Sequence, residues 1–224
     1  PHHYKKIYRG QGHKKKWTLT LLQAVLFGLF LIPIGAFATL IYYARDLPRP
    51  EKLTEVSFAE PTKIYDRTGN ILLYEVYGEE KRQVVPLSDI PLYFQQAVLA
   101  TEDAGFYQHK GISLKGTGRA FLINFGLRDS RFQKPGGSTI TQQLARNSFL
   151  TKEKTIPRKI RELILTLDLE RRYSKNEILS FYLNQIPFGS NAYGIGAASE
   201  LYFQKHPRDL TLAESAVLAA LIQA

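Results

Sequence analysis

From Trp17 to Ala44 the chain carries no charged residue (WTLTLLQAVLFGLFLIPIGAFATLIYYA). That stretch exceeds the roughly 20 apolar residues needed to cross a bilayer as a helix. Trp17 at one end and Tyr42-Tyr43 at the other stand where interfacial aromatics belong. Pro33 and Gly35 are tolerable in a membrane helix and able to kink it. Ala36-Phe37-Ala38 imitates a signal-peptide cleavage site, but the apolar run continues past it to Tyr43. The reading is an uncleaved anchor. Lys5, Lys6, Arg9, Lys14, Lys15 and Lys16 precede it without an acid, which predicts a cytoplasmic N-terminus and an exported remainder.

The pattern changes after the anchor. Residues 45–61 hold three prolines (Pro48, Pro50 and Pro61) and mixed charge, as in a stalk. Residues 62–66 and 71–77 flank Asp66-Arg67-Thr68-Gly69-Asn70 and predict a small β-hairpin. Helical signals follow. Ser88 or Asp89 can cap a helix whose first position is Pro91 and which runs to about Asp103. Pro157 opens another, with Ile160, Leu163, Ile164 and Leu167 forming its apolar stripe. Ser174 with Glu177, and Thr211 with Glu214, read as capping boxes of two more helices. The expectation is a basic arm (1–16), a transmembrane helix (17–44), a stalk (45–61) and one mainly α domain (62–224).

Composition narrows the function classes. The 224 residues carry 30 Lys and Arg against 20 Asp and Glu, a formal charge of +10. Removing the six basic residues of the arm leaves 24 against 20, so most of the excess is topology and support for nucleic-acid binding falls away. Cysteine is absent, which excludes disulfides, thiolate metal sites and a cysteine nucleophile. Methionine is also absent, and the last helix is still apolar at Ala224. Both points lead us to expect a native chain that starts upstream of Pro1 and continues beyond Ala224. Residues 119–132 mix aromatic and aliphatic positions with three arginines, a composition open to two readings: a membrane-surface segment or an amphipathic core helix.

Two regions can carry chemistry. Glu102 and Asp103 end a helix before Gly105, Phe106, His109 and Gly111, where a partly desolvated carboxylate suits a general base or is merely a solvated terminus. Gly136-Gly137-Ser138-Thr139 leads into a helix start whose free amides favour phosphate. The Walker spacing is missing, which argues against nucleotide binding. The basic run Arg146, Lys152, Lys154, Arg158, Lys159 and Arg161 follows. Arg158, Arg161, Glu162 and Leu165 share the face opposite the predicted apolar stripe. That face reads either as solvated or as a pyrophosphate clamp with one embedded carboxylate.

Five ordered segments now carry a resemblance. They are Ala100-Thr101-Glu102-Asp103 to Phe106, His109 and Gly111; Gly136 through Gln142-Gln143-Leu144 to Asn147; Arg158-Lys159 to Glu162; Lys175-Asn176-Glu177 to Tyr182-Leu183-Asn184; and Gly189 through Gly194 and Ala197-Ala198 to Tyr202-Phe203 and Lys205. Over about residues 60–224 the chain resembles the peptidoglycan glycosyltransferase domain of family 51, found in class A penicillin-binding proteins and monofunctional transglycosylases. Gln204 departs from the pattern, standing where the family usually has glycine, and Lys134-Pro135 precedes the paired glycines.

The resemblance implies a lysozyme-like α fold with a smaller membrane-associated lobe that includes residues 112–135. It implies lipid II and the nascent glycan strand as substrates, undecaprenyl pyrophosphate as leaving group, and inversion at the anomeric carbon. Glu102 matches the family's base. Glu162 matches its second carboxylate, placed near the pyrophosphate and associated with a divalent cation, magnesium or manganese. The binding residues it implies are Asp103, Ser138, Gln142, Gln143, Arg146, Lys154, Arg158, Arg161 and Asn184. Location in the bacterial cytoplasmic membrane, a transpeptidase domain or other wall-synthesis proteins as partners, and inhibition by moenomycin follow from the same likeness. The residues agree chemically: a pyrophosphate leaves as a stable anion, so one base and a basic clamp suffice, whereas a glycosidase needs two flanking carboxyls. A lytic hydrolase and a non-catalytic wall-synthesis scaffold are the rival readings.

Overall fold

The computed structural model describes residues 11–45, 47–48, 62–76, 81–114, 116, 118, 137–151, 153 and 155–222. The chain falls into two compact units, Pro1–Asp46 and Leu47–Ala224. Among the expected features, the first ten residues of the arm, most of the stalk, segment 119–132, Lys134-Pro135, Gly136, Lys152 and Lys154 lie outside the described residues.

The first unit contains helix α1, Gln11–Ala44, which starts six residues before the expected boundary and therefore includes Lys14–Lys16. Pro33 lies inside it, and Thr39 Oγ1 donates to the Gly35 carbonyl at 2.7 Å. Leu26, Phe27, Leu29, Leu31 and Ile32 all stand exposed, pointing around its circumference. A helix apolar on every side needs an apolar environment on every side. Leu26–Ala44, with mean hydropathy 1.9, is long and apolar enough to cross a membrane.

The second unit is mainly helical, consistent with the lysozyme-like α class. It opens with the expected hairpin, β1 (Thr62–Tyr65) antiparallel to β2 (Leu72–Val76). Asp66 Oδ1 accepts from the amides of Asn70 and Ile71 and closes the turn. A short parallel pair, β3 (Lys81–Arg82) with β4 (Ala192–Tyr193), was not predicted; two residues leave no periodicity to read. Helices α2 (Leu92–Glu102), α3 (Ile140–Phe149), α4 (Ile156–Arg172), α5 (Lys175–Gln185), α6 (Gly194–Phe203) and α7 (Leu212–Leu221) build the core. Helix α3 packs against both α4 and α5, and α2 against α7. Phe94, Phe106, Ile140, Leu144, Leu165, Ile178, Leu183 and Leu218 are buried between them.

Local chemistry sets the helix ends. The capping boxes Ser174/Glu177 and Thr211/Glu214 form as expected. Ser88 and Asp89, by contrast, do not cap α2. They sit in a 3-10 turn, Leu87–Asp89, and Pro91 takes the cap position with no side-chain bond. Gln204 ends α6 in the left-handed region at φ 53°, which accounts for the family's glycine there. Gly194, which starts α6 at φ 81°, is more constrained: a Cβ would lie 2.4 Å from the Asn184 carbonyl oxygen.

Helix α4 corrects the sequence reading most. Its buried residues are Glu162, Leu165, Thr166 and Leu169. The expected stripe of Ile160, Leu163 and Ile164 is only half-buried, and Leu167 is 49% exposed. Both sets have helical spacing, so periodicity alone could not choose. The face carrying a glutamate is the one turned inward.

Candidate active site

Helix α3 is the beam to which both chemical regions attach. Thr139 caps it, accepting from the Gln142 amide, while the Gln142 side chain accepts from the Thr139 amide at 3.0 Å. Asp103 Oδ2 accepts from the Ile140 amide at 3.1 Å. The Ile140 and Gln142 amides at this helix start are therefore already taken by the protein's own oxygens. Asp103 and Gln142, expected to bind substrate, are buried and spend these contacts on the frame. Asn184 is likewise engaged internally: its Oδ1 accepts from the Val85 amide, and its Nδ2 donates to the carbonyls of Val85 and Ser180.

His109 Nε2 lies 2.9 and 3.0 Å from the two Asp103 oxygens. A carboxylate only accepts, so Nε2 carries the hydrogen. Gly111, at φ 81°, lets the chain press against α4, where a Cβ would come within 2.6 Å of Thr166 Cγ2. Its carbonyl accepts from Thr139 Oγ1 at 2.6 Å. These bonds hold the end of α2 against the start of α3, so Glu102 is fixed by its neighbour in sequence.

Glu102 itself is partly buried. Gln143 Nε2, on α3, donates to Oε2 at 2.8 Å. Oε1 is buried and has no hydrogen-bond partner among the described residues. One carboxylate oxygen is thus held and the other left as an acceptor. Tyr182, on α5, donates its hydroxyl to Gln143 Oε1 at 3.1 Å. Burial pushes the Tyr182 phenol above its ordinary range, the Glu102 charge adds to that, and Arg146 opposes it.

The second carboxylate, Glu162, has a side chain 1% exposed. Arg158 Nη1 donates to its Oε2 at 2.6 Å, and Lys159 Nζ donates to its Oε1. Lys159 Nζ also reaches Ser138 Oγ at 3.4 Å. The structure therefore gathers Ser138, Arg158, Lys159 and Glu162, and places Gln143 with Glu102. Arg158 Nε is buried with no hydrogen-bond partner among the described residues. Arg146, with Nε donating to Asn147 Oδ1 at 3.3 Å, and Arg161 are half-buried. Lys154 lies outside the described residues.

The Glu162 carboxylate offers no free oxygen to a divalent cation in this arrangement. Both Glu162 oxygens face cationic nitrogens, and among the described residues no group of three or more His, Asp or Glu side chains could hold a metal. Lys159 and Tyr182, quoted within the ordered segments, were given no site role from sequence. Lys159 had a signal, lying three residues before Glu162 on one helix face. Tyr182 had another: it falls among Ile178, Leu179 and Leu183 on a buried stripe, where a phenol needs a polar partner.

Known proteins point to the same family. The sequence model of a family described as "Transglycosylase" matches residues 69–224. A protein named penicillin-binding protein 1A from Rickettsia bellii (strain RML369-C) is 42% identical over 197 residues, covering 88% of this chain and 25% of its own length. The protein of that name from Aquifex aeolicus (strain VF5) is 42% identical over 210 residues, covering 94% and 28%. That from Neisseria lactamica is 40% identical over 211 residues, covering 93% and 26%. The chain thus spans about a quarter of the length of these curated relatives. With the match covering most of the second unit and its ordered segments joined at α3, the chain belongs to the transglycosylase family, the peptidoglycan glycosyltransferases of family 51 that its motifs resemble.

Proposed function

We propose that the chain polymerises lipid II into β-1,4-linked glycan, releasing undecaprenyl pyrophosphate, with Glu102 as general base. The observation that carries this reading is the asymmetry of the Glu102 carboxylate: Oε2 accepts from Gln143, while the buried Oε1 has no partner among the described residues. An acceptor sugar's 4-hydroxyl donates to Oε1 and gives up its proton there. Its oxygen forms a bond to the anomeric carbon of the donor as the bond to the pyrophosphate oxygen breaks, inverting that carbon. The leaving pyrophosphate needs positive charge and no proton.

Arg158 and Lys159 supply that charge beside Ser138, with Arg146 and Arg161 as further cations of the same run. Glu162 holds the two cations ready. The Lys159 side chain is 48% exposed, so its ammonium can turn outward to phosphate. Helix α1 anchors the enzyme in the bacterial cytoplasmic membrane with its N-terminus inside, where its lipid substrate resides. The relatives' name speaks of penicillin binding, and a penicillin-binding transpeptidase is the partner activity we assign to the whole protein.

Labelled lipid II incubated with the chain in detergent tests this. Long glycan is expected, lost in Glu102→Gln and blocked by moenomycin. Full polymerisation by Glu102→Gln would sink the mechanism, and shortening of pre-made glycan would show a hydrolase instead.

A further inference from the structure

A base aims only as well as the group that holds it. Glu102 Oε2 is held by Gln143, whose side chain reaches across from α3. A glutamine amide is long and rotatable, and one hydrogen bond does not fix it. Its second bond comes from Tyr182, whose hydroxyl donates to Gln143 Oε1 at 3.1 Å. The Tyr182 residue is 1% exposed on α5, with Ile178, Leu179 and Leu183 buried beside it on the same helix. It is the rigid end of a three-membered chain: Tyr182 hydroxyl, Gln143 amide, Glu102 carboxylate.

The chain has a direction. A carboxylate oxygen accepts whether its partner oxygen is bare or protonated, so Gln143 Nε2 can keep donating to Oε2 throughout a proton transfer. The proton then has one place to go, Oε1. A tyrosine hydroxyl donating into the amide carbonyl also polarises the amide N–H at the far end. We propose that Tyr182 is a positioning residue for glycosyl transfer, acting through Gln143 to clamp Glu102 Oε2 so that the acceptor proton is taken on Oε1. This rests on the reading of Glu102 as base. Burial keeps the Tyr182 phenol protonated, and hence a donor, across the working pH range.

The test is a kinetic double-mutant cycle on the full chain in detergent with lipid II. Tyr182→Phe keeps the buried ring and removes only the hydroxyl. Loss of one hydrogen bond predicts a fall in kcat of about five- to tenfold with little change in KM. Tyr182→Phe combined with Gln143→Ala is expected to lose no more kcat than Gln143→Ala alone. Losses that multiply, or a wild-type kcat in Tyr182→Phe, would overturn the proposal. Thermal melts report whether each variant is folded. Should Tyr182→Phe not fold, Gln143→Glu carries the test, since it still accepts from Tyr182 but cannot donate to Glu102. Its kcat is expected to fall at least about tenfold, and a retained kcat overturns the clamp. Glu102→Gln in the same assay separates the two ideas. Activity retained there removes the base itself, whereas an inactive Glu102→Gln with independent Tyr182 and Gln143 losses removes only the clamp.

Discussion

The two glutamates differ in what surrounds them, and that difference assigns each a different sensitivity. Glu162 is buried with a cation on each oxygen. Removing its charge strands Arg158, whose side chain is 16% exposed, without its partner. Breaking a buried pair from one side costs about 3 kcal/mol, so Glu162→Gln is expected to melt several degrees below the wild type. Glu102 keeps an unpartnered buried oxygen, a group that costs stability as it stands. Glu102→Gln is expected to melt at or above the wild-type temperature while losing activity. Equal destabilisation of both variants, read by calorimetry, would contradict this division of labour. At this scale the ordered motifs singled out both glutamates along with Ser138 and Gln143, and the structure sets Gln143 against Glu102 and Ser138 beside Lys159, which pairs with Glu162. They did not show that Asp103 and Asn184 spend polar atoms on the protein's own backbone, because the partners Ile140 and Val85 are distant in sequence.

Helix ends were readable at two boxes whose capping chemistry is local. The Ser174/Glu177 and Thr211/Glu214 boxes need only four consecutive residues, and both form. The Thr139/Gln142 box uses the same spacing but was hidden inside a glycine-rich loop read for phosphate. Helix faces were harder. Two interleaved stripes on α4 both satisfy the helical period, and the inward one contains Glu162, which hydrophobicity alone discards. The box on α7 has a pH signature. A hydrogen bond from Lys205, helped by the Thr211 amide, holds the Glu214 carboxyl down at about 2 from its ordinary 4.5. A folded value below the unfolded one adds stability above about pH 4.5, lost as pH falls toward 2. The melting-temperature gap between wild type and Glu214→Gln should therefore close over that window. A gap unchanged from pH 7 to 2 would show that Glu214 contributes through its shape and not its charge.

The molecule divides at Asp46 into a helix without a core and a domain with one. The apolar core residues and their capping are all contained in Leu47–Ala224. A chain starting at Leu47 is expected to fold on its own and to melt at the same temperature as the whole chain, followed by circular dichroism. A melting temperature lower by several degrees would show that the helix contributes to the fold of the domain. The long N-terminal helix was the most legible element of all, since an uncharged stretch of that length is long and apolar enough to cross a membrane. The short β3–β4 pair was the least, since its strands lie over a hundred residues apart.

Asp103 occupies the Ile140 amide at the start of α3, so in the proposed reaction the leaving anion meets side chains there and not that amide. An anion cradled by backbone amides is held by groups that cannot move aside. One gripped by the end of Lys159, whose side chain is 48% exposed, is held by a group that swings. Under the proposed reaction, a pyrophosphate that must leave after each transfer departs faster from a grip that opens.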